Sequence, residues 1–271
     1  MTKTIAIETP FGDELVEELH LPNAPLARVL CQLRYPKMPE VTRDPGVPPL
    51  RERLKTRYPI LREDRAFALV VTSAGVASQP DQGELLWRLV DQDNVWTVTV
   101  SDSFIALETS NYVDRADYFD RLDEVVKAVA ETYEPILYDR LGIRYVNRLQ
   151  GEKELASLHR YVNPALLAGP LTDPPPGVEL SHSLSQFVYQ FSDAGLTVQW
   201  GVLPAGASLD PSLPAATNRS WTLDIDVFSP QGDTFSPPAI GQRARQFSER
   251  AYRFFRWATT ADFLKEVGGL S

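Results

Sequence analysis

At 271 residues, 43% hydrophobic and 23% charged, the chain has the balance of a globular protein with one large core or two small ones. Its formal net charge of −9 argues against non-specific binding to nucleic acid, whose phosphates demand a positive surface. No apolar run approaches the ~18 residues of a membrane span, the N-terminus lacks a long apolar signal core, and Cys31 is the single cysteine, so a reducing cytoplasm is the expected setting.

Residues 8–20 read as a short acidic helix or an arm. Glu8, Asp13, Glu14, Glu17 and Glu18 are interleaved with Phe11, Leu15, Val16 and Leu19, and Pro22 and Pro25 end the segment. Residues 26–35 then form a strand, with Val29, Cys31, Leu33 and Tyr35 on one face and Leu30, Gln32 and Arg34 on the other. That alternation makes Cys31 a buried small hydrophobe rather than a nucleophile. Five prolines between Pro36 and Pro49 argue against regular structure there. Residues 50–58 are a short helix carrying Arg51, Arg53, Lys55 and Arg57, read as a solvated face, and strands are expected over 67–72 and 85–91.

The stretch 94–149 organises the rest as strand, strand, helix, strand. Residues 95–100 and 104–109 are rich in β-branched and aromatic side chains. Asp114 and Asp117 open a helix that Pro135 closes, and Phe119, Leu122, Val126, Val129 and Tyr133 mark one apolar face of it. Residues 141–149 return as a strand. A weaker helix is expected over 152–161, and the Pro-rich run 169–178 is the best linker candidate.

Beyond the linker come a hairpin over 184–191 and 196–203, a Pro/Ala/Ser loop to residue 218, and a strand over 221–228. A long helix over 239–257 follows, its stripe marked by Ile240, Ala244, Phe247, Ala251, Phe254 and Ala258, and then a short one over 262–267. The expected architecture is α+β: antiparallel sheets, each crossed by a long amphipathic helix, in halves 1–168 and 179–271 that share a plan.

There is no phosphate-binding Gly-rich loop and no Gly-x-Ser-x-Gly element, and His20, His159 and His182 are scattered. No cofactor is expected. Asp224 and Asp226 alternate with Leu223, Ile225 and Val227, so both carboxylates share one side of a strand. Such a pair could bind a divalent metal in a phosphoesterase or nuclease-like enzyme; a wet strand face is the plainer reading. A second set is Arg34, Arg144 and Arg148 with Glu108, either an ion-pair lattice or a face that receives an anionic or peptide ligand. The last helix carries Arg243, Arg245, Arg250, Arg253 and Arg256. These could grip phosphates, but docking of the acidic N-terminal segment on them fits the overall charge better.

Several runs taken together resemble a known family. They are residues 23–26 with 32–36, residues 104–109 leading into Tyr112, residues 140–148, and residues 223–228. In order and spacing they resemble a sporadically distributed family of uncharacterised prokaryotic proteins along nearly the whole chain. The resemblance implies no activity or catalytic residues; patchy distribution suggests phage-defence or toxin–antitoxin loci. The expected function is a non-enzymatic binding or regulatory module for a protein or small anionic ligand, with no membrane role. The metal-dependent enzyme is the alternative.

Overall fold

The computed structural model describes residues 7–12, 15–43, 46–65, 68–72, 75–79, 84–167, 175–210 and 213–269. In chain order the elements begin with β1 (Leu26–Arg34), α1 (Pro48–Leu54), β2 (Ile60–Arg65), β3 (Ala68–Thr72), β4 (Gly75–Gln79), β5 (Leu85–Val90), β6 (Trp96–Val100) and β7 (Phe104–Thr109). Then come α2 (Arg115–Tyr133), β8 (Leu137–Tyr138), β9 (Arg140–Gln150), α3 (Glu152–Ala156), α4 (Leu158–Tyr161) and β10 (Ser185–Gln190). β11 (Gly195–Leu203), β12 (Ser220–Phe228), β13 (Asp233–Thr234), α5 (Pro237–Ala258) and α6 (Ala261–Glu266) complete the chain.

Nine strands form an antiparallel sheet in the order β10-β11-β12-β9-β1-β7-β6-β5-β2; β13 pairs with β8 and β3 with β4. The α+β class is as the sequence pattern requires. The chain divides into two compact units, the first made of residues 1–29, 143–228 and 246–271, the second of residues 30–142 and 229–245. The units interleave in sequence, because pairing in a sheet, not order in the chain, decides which segments pack together. Of the expected linker, residues 169–174 lie outside the described residues.

In the second unit, α2 begins where Asp114 Oδ1 accepts the Asp117 amide at 2.8 Å, a side-chain cap for an orphan helix donor. It ends at Glu134, whose left-handed φ of 47° precedes Pro135. Phe119, Leu122, Val126 and Val129 are all buried, as their spacing requires. The Tyr118 hydroxyl donates to the Leu107 carbonyl at 3.0 Å, tying the helix to β7. The helix α1 starts two residues earlier than expected because Pro48 and Pro49 sit in its first turn, where a missing N–H costs nothing. Arg53 of this helix pairs with Glu131, and Arg57 just beyond it pairs with Asp120 at 2.7 Å and Glu124 at 3.2 Å. Gly241 in the first turns of α5 is a close-approach position, since a Cβ there would stand 2.4 Å from Asp123 Oδ1 on α2.

In the first unit, β10, β11 and β12 pair in register, with Val198 opposite Ile225 and Gln199 opposite Asp224. Leu223, Ile225 and Val227 are fully buried on one face, and Phe247, Ala251, Phe254 and Ala258 of α5 are buried as well. The Tyr145 hydroxyl of β9 and Ser248 Oγ of α5 meet at 2.7 Å. Trp200 Nε1 donates to the Leu166 carbonyl at 2.8 Å, so the indole keeps a partner in the core.

Candidate functional site

The polar face of the first unit is built by strand alternation. In β9 the odd positions Leu141, Ile143 and Leu149 are buried, so Arg144 and Arg148 emerge on the other side. In β12 the same rule turns Asp224 and Asp226 that way, and in β1 it turns Arg28. Arg144 and Asp224, eighty residues apart, meet in a bidentate fork: Nε to Oδ1 at 2.8 Å and Nη2 to Oδ2 at 2.6 Å. Arg144 Nη1 also donates to Asp210 Oδ2 at 2.9 Å, and Arg28 Nη1 reaches the same oxygen at 3.2 Å.

Arg144 of one polar set and Asp224 of the other therefore meet, and with Arg28 and Asp210 they form one lattice. Asp224 is 5% exposed at its side chain, and the carboxylate is tolerated there because its two oxygens accept from a planar guanidinium. The hydrogen bond to Asp224 holds the Arg144 pKa above its ordinary value, helped by the charges of Asp224, Asp210 and Asp226 and opposed by burial. Both oxygens of Asp224 are thus engaged, and among the described residues no group of three or more His, Cys, Asp or Glu is arranged to hold a metal ion. A cation at Asp224 would have to displace Arg144.

The described parts of the loop, residues 204–210 and 213–219, contact this face. Arg148 Nη1 donates to the Pro214 carbonyl at 2.8 Å, Arg148 Nη2 reaches Ser208 Oγ at 3.4 Å, and Gln150 Nε2 donates to Thr217 Oγ1 at 2.8 Å. Ser208 Oγ in turn donates to the Asp210 carbonyl at 2.8 Å. Asp210, which no periodicity could single out in a Pro/Ala/Ser loop, is the residue that joins Arg28 to Arg144. Arg34 and Glu108 belong to the second unit. Arg34 is exposed and its carbonyl accepts from the Asp139 amide at 2.7 Å; Glu108 lies 3.8 Å from Arg88.

The arginines of the last helix are engaged in different ways. In the second unit Arg245 pairs with Asp123 at 2.5 Å and lies over the Phe119 ring, and Arg243 is half-buried. In the first unit Arg250 pairs with Asp193 at 2.9 Å and covers the Phe191 ring at 5.0 Å. Arg253 and Arg256 are each 7% exposed. The N-terminal segment runs past them as an extended arm with no helix among its described residues.

Three hydrogen bonds hold the arm's main chain. The Leu19 amide donates to the Tyr252 hydroxyl at 2.9 Å, and that hydroxyl donates to the Glu17 carbonyl at 3.3 Å. Arg256 Nη1 donates to the same carbonyl at 3.0 Å. Gly12 has a φ of +136°, and a Cβ there would stand 3.4 Å from Cζ of Arg253. Phe11 packs edge-on against Tyr189 of β10, with ring centroids 4.7 Å apart, and against Phe191 at 6.1 Å. The described part of the acidic segment docks on the last helix as expected, and Asp13 and Glu14 lie outside the described residues. Leu15 of the same segment is 83% exposed.

No helix among the described residues is long and apolar enough to cross a membrane. No protein-family model matches the chain, and no curated protein matches it.

Proposed function

We propose that the chain is a non-enzymatic binding module that holds an extended peptide along α5, with its own arm as the resident occupant. The observation that carries this reading is the clamp formed by Tyr252 and Arg256. Together they satisfy the Glu17 carbonyl and the Leu19 amide, the two main-chain groups that a neighbouring β-strand would pair. A site that reads main chain accepts many sequences in that place, and Phe11 between Tyr189 and Phe191 supplies an aromatic anchor upstream. The recognition surface thus moves from Arg34, Arg144 and Arg148 to the groove lined by Tyr189, Tyr252, Arg253 and Arg256. A protein partner offering an aromatic residue followed by an extended, acidic stretch is the class of ligand this chemistry suits. Such a partner must displace the arm, so its apparent affinity falls with the fraction of molecules whose arm is released. The setting suggested by the resemblance, a defence or toxin–antitoxin locus, belongs to the proposal and rests on the resemblance alone.

The test removes the arm and returns it in trans. A chain lacking residues 1–20 should bind a synthetic peptide of residues 7–20 saturably in calorimetry, and the intact chain should not. The same peptide with Phe11→Ala should bind about fivefold more weakly, reflecting about 1 kcal/mol for a half-buried ring. A deletion variant that is folded by circular dichroism yet binds no peptide overturns the reading.

A further inference from the structure

The two outermost strands of the sheet order are β10 and β2, and among the described residues each pairs with one neighbouring strand. An exposed edge is a template for another strand, and proteins blunt such edges with charge, proline or bulges. The sequence of β2 does this: Arg62, Glu63, Asp64 and Arg65 follow one another, and all four are exposed. The sequence of β10 does not. Residues 180–192 contain no Asp, Glu, Lys, Arg or Pro. Of the eight large hydrophobics exposed among the described residues, three are Leu184, Phe187 and Val188, at 57%, 48% and 55%.

We infer that β10 pairs antiparallel with β10 of a second copy of this chain. Charge selects the occupant. Two copies at −9 each repel wherever acidic surfaces meet, and a thirteen-residue stretch without charge removes that cost at this edge. A strongly basic partner would be steered to the acidic surface and away from this strand.

The geometry of the strand is compatible with its own copy. A two-fold axis perpendicular to the sheet keeps each face on its own side, so residues of equal parity must stand opposite each other. Centred on Val188, that register sets Val188 against Val188, Gln186 against Gln190, and Phe187 against Tyr189 of the second copy. These are apolar, amide and aromatic cross-strand pairs, with no like charges opposed. Phe187 is already oriented for this by its contacts with Trp200 at 4.9 Å and Tyr189 at 5.9 Å between ring centroids. The pairing uses the main-chain edge of β10, and Tyr189, which stands opposite Phe187 of the second copy, also packs against Phe11 of the arm. Six residues of strand alone make a small interface, and the dimer is therefore one that dissociates on dilution.

Sedimentation velocity of the intact chain across the micromolar range should show a monomer–dimer equilibrium. Val188→Lys, an exposed site where folding is undisturbed, should weaken it about tenfold or more by setting two ammonium groups face to face. Under mild oxidation Val188→Cys should give a disulfide-linked dimer, since opposed Cα atoms lie within bridging distance, whereas Cys31 is buried and stays unlinked. A chain that is monomeric at every concentration overturns the proposal, and so does a dimer indifferent to Val188→Lys.

Discussion

Two arginine clusters in the first unit solve the same problem in opposite ways. In the lattice, Arg28 and Arg144 meet carboxylates of Asp210 and Asp224, side chain to side chain, beneath a loop that Arg148 and Gln150 pin down. On α5, Arg256 and Tyr252 meet main-chain groups of a segment that contributes a half-buried Phe11 and a Leu15 left in solvent. A buried carboxylate facing a guanidinium has no acceptable alternative state, so the lattice is permanent. A carbonyl facing the same guanidinium is replaced at little cost by water or by another carbonyl, so the clamp is exchangeable. Under the proposed function, the difference separates a structural charge from a working one.

The largest effect that would break this comparison belongs to the lattice. Arg144→Leu strands the Asp224 carboxylate in a buried site, and the unfolding free energy should fall by about 3–5 kcal/mol, read from the denaturant midpoint. A loss near that of a surface pair would mean that the fork is no more structural than the clamp. Tyr252→Phe should do far less to the fold. It removes the hydroxyl bridge at Leu19 and Glu17, worth about 1 kcal/mol, so a trans peptide should bind the arm-deleted variant about fivefold more weakly, with the unfolding midpoint unchanged. The smallest effect sharpens the comparison from the other side. Millimolar Mg²⁺ should leave the melting temperature where it is, because Arg144 already occupies both oxygens of Asp224. A stabilisation by Mg²⁺ that vanishes in Asp224→Asn would show that the fork opens to a cation.

Much of this fold was legible because it is periodic. The cap at Asp114, the stripes of α2 and α5, the hairpin of β10 and β11, and the shared side of Asp224 and Asp226 all follow from spacings of two or of three and four. What was not legible lacks a period or depends on distant partners. The strand β2 escapes notice because Arg62, Glu63, Asp64 and Arg65 offer no alternation, and the charges that protect an edge also erase its signal. Alternation told which way Arg144 points but not that Asp224, eighty residues on, would face it across β9 and β12. Asp210 sits in a loop whose composition says only that it is irregular. The arm's docking on the last helix was legible in the complementary charge, whereas the hydrogen bonds of its main chain to Tyr252 and Arg256 leave no signature in the sequence.

The claim on which the account rests is that the arm can leave α5 with the fold intact. Amide hydrogen exchange at Leu19, whose N–H is held by the Tyr252 hydroxyl, tests this directly. The account predicts exchange by local opening, orders of magnitude faster than the core amides of β11 and β12 and insensitive to low denaturant. Exchange at Leu19 as slow as in those strands, and with their denaturant dependence, would make the arm part of the global core and contradict it.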